Sequence, residues 1–218
     1  MSVGIEEVRE YYDSLVDHMS KQSSNSRHKR VIKALRGFMG KPGLSVIDLG
    51  CGIGVSSEAM ARMGAEVVAV DISDKLIKYA SDNHWHPNVQ FLNADVTKLR
   101  LGRKYDVITI IDLLEHIRPD DILDFFEVLR EHSHEETTIY LNIPHYKFLS
   151  FVTENYPNTL QIIDEVWTPG EITNSFEKIG FYPISMKMYG LGSVAQYIDY
   201  VFIGEDNLNK QYQEVYKV

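Results

Sequence analysis

The sequence predicts an α/β protein: a doubly wound, mostly parallel sheet with helices on both faces. Three observations carry this expectation. Short apolar runs of strand length alternate with amphipathic runs of helix length between Leu44 and Ile143. The first of these runs ends in a glycine turn, Asp48-Leu49-Gly50-Cys51-Gly52-Ile53-Gly54-Val55, that opens directly into a helical pattern. Such a turn puts a nucleotide-like ligand over the carboxyl ends of the strands. Finally, 218 residues with 44% apolar content can bury one sizeable core, and a second full domain would be cramped.

In chain order, Ile5, Val8, Tyr12, Leu15, Val16 and Met19 have helical spacing, which predicts a helix over 5–20. "KQSSNS" breaks it, "RHKRVIKALRGFM" resumes as a second helix, and "GKPG" stops that one. "LSVIDL" reads as a buried strand, "GVSSEAMARMG" as a helix closed by Gly64, and "AEVVAV" as a strand. "SDKLIKYASDN" is a helix capped by Ser73, followed by the strands "VQFLNA" and "YDVITII". "RPDDILDFFEVLREH" is a helix and "TTIYLNI" a fifth strand. "HYKFLSFVTENYPNTLQIIDEVW" is then a long aromatic insertion without clear period, "TPGEITNSFEKIG" a helix, and "FYPISMKMYG" with "VAQYIDYVFIG" a terminal hairpin. The polar tail "EDNLNKQYQEVYKV" reads as frayed. The expected organisation is one domain over 1–218: a helical cap (1–40), a ligand-binding core (41–144), a lid-like insertion (145–168), a terminal helix and hairpin (169–204) and a tail (205–218).

Bulk composition excludes several classes. Lys plus Arg is 22 against 31 for Asp plus Glu, a net charge of −9, with no dense basic block, so no nucleic-acid partner is expected. The N-terminus is acidic and amphipathic, unlike a signal peptide, and no apolar run approaches the ~20 residues of a membrane span. A cytoplasmic protein is the expectation. The single cysteine, Cys51, permits no intramolecular disulfide and reads as a small residue fitted to a crowded bend.

The glycine turn discriminates between cofactors. A dinucleotide fingerprint wants Gly or Ala where Val55 stands, and a phosphate-binding P-loop needs Gly-Lys-Ser/Thr, which is missing. Asp48, directly before the glycines, would repel a pyrophosphate but suits a ligand with an ammonium group and no phosphates. Asp71 closes the second strand and is placed to take the hydroxyls of a ribose. Asp95 follows the third strand, where it can accept from an adenine amine. Ribose, adenine and a cationic amino-acid tail together describe S-adenosylmethionine.

"VIDLGCGIG", "VVAVDIS", "NADV" and "YDVITIIDLLEHI" resemble the successive motifs of the class I S-adenosylmethionine-dependent methyltransferases. The resemblance covers residues 28–144 and says little about the methyl acceptor. It implies a Rossmann-like seven-stranded sheet with an antiparallel last strand. It further implies that Gly50, Gly52 and Gly54 wrap the methionine moiety, Asp71 with Ile72 takes the ribose, Ala94 and Asp95 flank the adenine, and Ile111 and Asp112 line the methyl-donor side.

Methyl transfer to a hydroxyl requires a base that removes its proton. His116, just past the fourth strand, is the best candidate, because imidazole titrates near neutral pH; Glu115 and His116 could equally serve loop structure. Asp112-x-x-Glu115-His116 is similar to the divalent-metal cluster of ubiquinone-pathway O-methyltransferases and small-RNA 2′-O-methyltransferases. Their pattern has a glutamate where Asp112 stands, and the RNA enzymes need a further histidine, so no metal ligand is assigned. In the insertion Tyr146, Phe148, Phe151, Tyr156, Trp167, Gln161 and Asp164 could form a lid over the acceptor or pack a subdomain or homodimer seam. The insertion and closing strand loosely resemble methyltransferases of saccharide and natural-product biosynthesis. Tyr11, Tyr12 and Arg27 could reach the cofactor from the N-terminal helices. The expected activity is methyl transfer to a small polar or sugar-like acceptor at oxygen; N-methylation of a small amine and a non-catalytic cofactor-binding subunit are the alternatives.

Overall fold

A computed structural model describes residues 3–21, 25–192 and 194–215. Seven strands form one sheet: β1 (Ser45–Leu49), β2 (Glu66–Asp71), β3 (Val89–Asn93), β4 (Tyr105–Ile111), β5 (Ser133–Pro144), β6 (Phe181–Tyr189) and β7 (Tyr197–Gly204), in the order β3-β2-β1-β4-β5-β7-β6. β1 to β5 run parallel, and β7 is antiparallel to both of its neighbours, β5 and β6. This is the predicted seven-stranded Rossmann-like sheet.

The central strands are apolar throughout because both faces are covered. Ile47, Leu49, Val68, Val70, Ile108 and Ile110 face one apolar cluster, while Val46, Val67, Ala69 and Val107 face another. The first cluster is closed by α6 (Ile122–Glu131) and α8 (Pro169–Glu177), through Phe125, Leu129 and Phe176, whose ring stacks on Phe202 at 4.1 Å. The second is closed by α3 (Ser26–Leu35) and α4 (Val55–Arg62), through Val31, Leu35, Met60 and Ala61. Helix starts follow local chemistry. Ser73 caps α5 (Asp74–Asn83) by accepting from Leu76 N at 3.1 Å, and Thr168 forms a capping box with Glu171 ahead of Pro169.

Three segments differ from expectation. The N-terminal helix is broken into α1 (Ile5–Ser14) and α2 (Val16–Ser20). The insertion contains a helix of its own, α7 (Tyr146–Asn155), on which His145 accepts from Lys147 N at 3.2 Å. The tail is helical as α9 (Glu205–Val215), tied back to β5 by a Lys210–Glu136 ion pair at 3.2 Å.

β7 is joined to its surroundings through one acid as well as through ladder bonds. Asp199 accepts from Tyr140 OH at 2.6 Å, from Asn142 Nδ2 at 2.8 Å and from Arg30 Nη2 at 2.9 Å. Removing it leaves three donors without their acceptor around a buried position. Asp199→Ala is expected to lower stability by about 2–4 kcal/mol, and Asp199→Asn, which still offers Tyr140 an acceptor, by less. Urea denaturation measures both; a loss under about 1 kcal/mol for the alanine variant would mean that backbone pairing alone holds the strand.

Candidate functional site

A cavity enclosing about 1090 Å³, counting its part open to solvent, lies over the carboxyl ends of β1, β2 and β4. The glycine turn forms its floor. Gly50 N and Cys51 N both donate to Val70 O, at 2.8 and 2.9 Å, which sews the turn to β2. Gly52 (φ 53°) turns its N–H onto Asp71 Oδ2 at 2.8 Å. Gly54 (φ 85°) has a packing reason instead: a Cβ there would stand 2.9 Å from both Ala80 Cβ and the Phe91 ring.

Of the residues predicted from sequence, Asp48, Gly50, Gly52, Asp71, Ile72, Asp95, Ile111, Asp112 and His116 line this cavity, as do Cys51, Tyr12 and Arg27. Gly54 and Ala94 stand behind the lining; Ala94 N donates to Asp71 O at 3.0 Å and so fixes the end of β3 against β2. Asp48 is buried with both oxygens engaged, Oδ2 by Ser57 Oγ and Oδ1 by Thr109 Oγ1, each at 2.6 Å. Burial pushes its carboxyl up to about 6 against the pull of those two hydroxyls. Asp71 accepts from Gly52 N and, at 3.0 Å, from Ser73 N; desolvation still raises it. Asp95 Oδ1 accepts from Thr97 N and Oγ1. Desolvation, then the nearby Asp71 and Asp48, push the Cys51 thiol up, which keeps it protonated and fits the small-residue reading.

The roof is the N-terminal pair of helices, which contribute Ile5, Val8, Tyr12 and Met19. Two latches hold them. Asp13 Oδ1 accepts from Ser73 Oγ at 2.5 Å and from Lys75 N at 3.3 Å, and Arg118 Nη1 donates to Val3 O at 2.9 Å. Sequence reasoning missed Asp13 and Arg118, because both act on partners far away in the chain. Arg118 is also paired with Asp121 at 2.5 Å.

Beyond β4 the chain turns sharply at Asp112, whose φ is 48°. Its carboxylate pairs with Arg27 Nη1, while Arg27 Nη2 donates to Asn142 Oδ1 at 2.5 Å and the guanidinium stands 4.3 Å over the Tyr197 ring. Glu115 is buried with no hydrogen-bond partner on either oxygen; desolvation, then the charge of Asp112, push its carboxyl well above the ordinary carboxylate range. His116 follows it, its ring 6.0 Å from that of Tyr12. Among the described residues no group of three His, Cys, Asp or Glu side chains is arranged to hold a metal ion.

The insertion does not roof the cavity. Tyr146, Phe148, Phe151, Tyr156 and Trp167 are absent from its lining, and Phe151 and Tyr156 are exposed. Its polar stretch instead meets His116: Ile163 O stands 2.6 Å from Nδ1, Asp164 Oδ1 3.3 Å from Nδ1, and Gln161 Nε2 3.2 Å from Nε2.

Residues 46–135 match the family described as "Methyltransferase domain". Curated relatives include the mitochondrial ubiquinone biosynthesis O-methyltransferase of Schizosaccharomyces pombe, 39% identical over 37% of this chain and 32% of its own length. The enzyme of that name from Cupriavidus pinatubonensis is 28% identical over 69% of this chain and 65% of its own. The matched stretch thus spans about a third of the length of the first relative. Among solved structures, the magnesium protoporphyrin IX methyltransferase of Synechocystis with bound SAH superposes with a TM-score of 0.73 at 20% identity, over 92% of this chain and 99% of that one. That likeness is one of fold. The glycine turn and the acids at the ends of β1 and β2 all fall within the matched stretch, so residues 46–135 carry the features of the methyltransferase-domain family that they match.

Proposed function

We propose that the chain is an S-adenosylmethionine-dependent methyltransferase that acts on a hydroxyl of a small polar or sugar-like acceptor. The observation that carries this reading is the charge of the cavity lining. It holds Asp48, Asp71, Asp95, Asp112 and Asp121 against two arginines, Arg27 and Arg118, each already paired with a carboxylate. A pyrophosphate would meet uncompensated negative charge there, whereas a sulfonium with an ammonium group is complementary to it. The residues therefore fit the cofactor. The names of the curated relatives support oxygen as the methylated atom.

Bound there, the cofactor would supply a methyl carbon activated by a positively charged sulfur. Everything else falls to the chain. Each oxygen of Asp71 accepts one backbone N–H and keeps a further lone pair for a ribose hydroxyl. Asp95 is free at Oδ2 to take an adenine amine, apart from Lys98 at 3.7 Å. Asp48, with both oxygens held by hydroxyls, acts on an ammonium through its charge. The apolar faces of Ile5, Val8 and Met19 exclude water. His116 takes the acceptor proton. The reading takes a cytoplasmic setting, and among the described residues no helix is long and apolar enough to cross a membrane.

Calorimetry is expected to show binding of S-adenosylhomocysteine and none of NAD, and Asp71→Ala should weaken binding by about 1.5–3 kcal/mol through lost charge-assisted hydrogen bonds. Release of S-adenosylhomocysteine from S-adenosylmethionine only when a metabolite extract is added, followed by fractionation of that extract, identifies the acceptor; tight NAD binding with no response to S-adenosylhomocysteine would end the reading. With an acceptor in hand, His116→Ala should lower turnover by roughly 10²–10⁴-fold and leave cofactor affinity nearly unchanged. Turnover within about threefold of native at every pH would make His116 structural and point to an acceptor that needs no base.

The Asp48 carboxyl gives a test in the free protein. Its folded value of about 6 lies above the ordinary 3.8, so the native state holds that proton more tightly than the unfolded chain does. Its contribution is fully present below pH 4 and is lost as pH rises to about 6, by about 3 kcal/mol in all. Asp48→Asn should remove this slope. The difference between the native and variant stability curves, measured by urea denaturation, should move in the variant's favour between pH 4 and 6; a constant difference across that window would contradict the buried, protonated state.

A further inference from the structure

One short segment of the insertion converges on one imidazole. His116 Nδ1 faces two acceptors, Ile163 O at 2.6 Å and Asp164 Oδ1 at 3.3 Å. The segment is braced against the loop it serves: Asp164 Oδ2 accepts from Gln161 N at 2.5 Å, and Glu165 N donates to Glu115 O at 2.8 Å. With two acceptors against it, Nδ1 must carry the ring proton, which leaves the lone pair on Nε2. His116 lines the cavity, whereas Gln161 and Asp164 stand behind its wall. The amide of Gln161 lies 3.2 Å from Nε2 and, turned to donate, satisfies that lone pair.

The other groups facing the ring do not substitute for Asp164. Tyr12 approaches from α1 with its phenol pushed up by burial and by Glu115, so it stays neutral. Glu115 Oε1 stands 3.8 Å from Nε2, beyond hydrogen-bond reach, and desolvation pushes its carboxyl up. The nearby Asp112 is matched by Arg27. Asp164 has no lysine or arginine partner among the described residues, and its Oδ1 is set against Nδ1.

We propose that Asp164 is a positioning residue: with the Ile163 carbonyl it holds His116 as the Nδ1–H tautomer, which leaves Nε2 as the nitrogen that takes the acceptor's proton once the Gln161 amide moves off it. This rests on the methyltransferase reading above. In the balanced step the acceptor oxygen bonds to the donor methyl carbon and the carbon–sulfur bond breaks with its electron pair going to sulfur. The hydroxyl proton goes to Nε2 and later to solvent. The insertion thus acts from behind the base rather than as a cover over the ligand.

The test is nitrogen NMR of the full chain labelled at histidine nitrogen, with and without S-adenosylhomocysteine, the His116 signals assigned by their loss in His116→Gln. The expected native state has the proton on Nδ1. In Asp164→Asn the share of the ring carrying its proton on Nδ1 should fall, because the amide can turn an N–H toward that nitrogen, and Asp164→Glu should restore much of it. Gln161→Ala should leave the tautomer unchanged. A proton on Nε2 in the native protein overturns the proposal without any variant, and so does an unchanged tautomer in an Asp164→Asn protein that unfolds at the native temperature. If S-adenosylhomocysteine leaves every signal unchanged and does not bind in calorimetry, the methyltransferase reading fails, while the tautomer is still read from the free protein.

Discussion

The carboxylate of Asp71 is where the parts of this structure meet. It ends β2, accepts the N–H of Gly52 and so sets the path of the glycine turn, and accepts the N–H of Ser73 at the start of α5. Ser73 in turn caps that helix and donates to Asp13 on α1. One buried acid therefore orders the floor, one wall and, at one remove, the roof of the cavity. Desolvation works against its charge, and the oriented backbone donors offset that cost only in part, because the balance still leaves it raised. A group held in that condition gains from any further donor that a ligand brings to it.

Much of this was legible because it depends on neighbours in sequence. The strand period, the acid before the glycines, the acid closing the second strand and the Ser73 cap are all local statements, and each has its expected place. What could not be read depends on distance along the chain. Asp13 looks like any acid on an amphipathic helix until α1 folds over Ser73, and Arg118 looks like a loop cation until it reaches Val3 O. Asp48 was read as waiting for a ligand, yet Ser57 and Thr109 already occupy its oxygens. The composition of the insertion points elsewhere: its aromatics suggest a cover, but it is its polar stretch, through Gln161 and Asp164, that reaches His116. The polarity of the tail suggests fraying, yet helix α9 forms there with no buried side chain of its own.

The two ends of the site are built on different principles. Around Asp71 and the glycine turn, backbone N–H groups fix the geometry, and substitution of side chains nearby would leave most of it in place. Around Asp112, Glu115 and His116 the geometry rests on side-chain partners drawn from α3, β5 and the insertion, with Glu115 and an oxygen of Asp112 lacking hydrogen-bond partners. Buried polar groups left in that state mark positions where stability has not been maximised. The half of the cavity proposed for the cofactor is set by backbone hydrogen bonds, and the half proposed for the acceptor by side-chain partners.

The position of β7 bears on how the chain is made. Its slot lies between β5 and β6, so the outer edge of β5, the longest strand, has no partner until the last strand of the sheet has been synthesised. At about 5–20 residues per second, a ribosome leaves that edge open for on the order of seconds while α7, α8 and β6 emerge. During that interval the nascent chain presents Ile139, Leu141 and Ile143 beside unpaired backbone groups, the features that invite edge-to-edge association. Asp199 arrives with β7 and engages Tyr140 and Asn142 on that same edge. Completion of the sheet is thereby tied to synthesis of β7, and a chain that stops short of β7 leaves the β5 edge open to association.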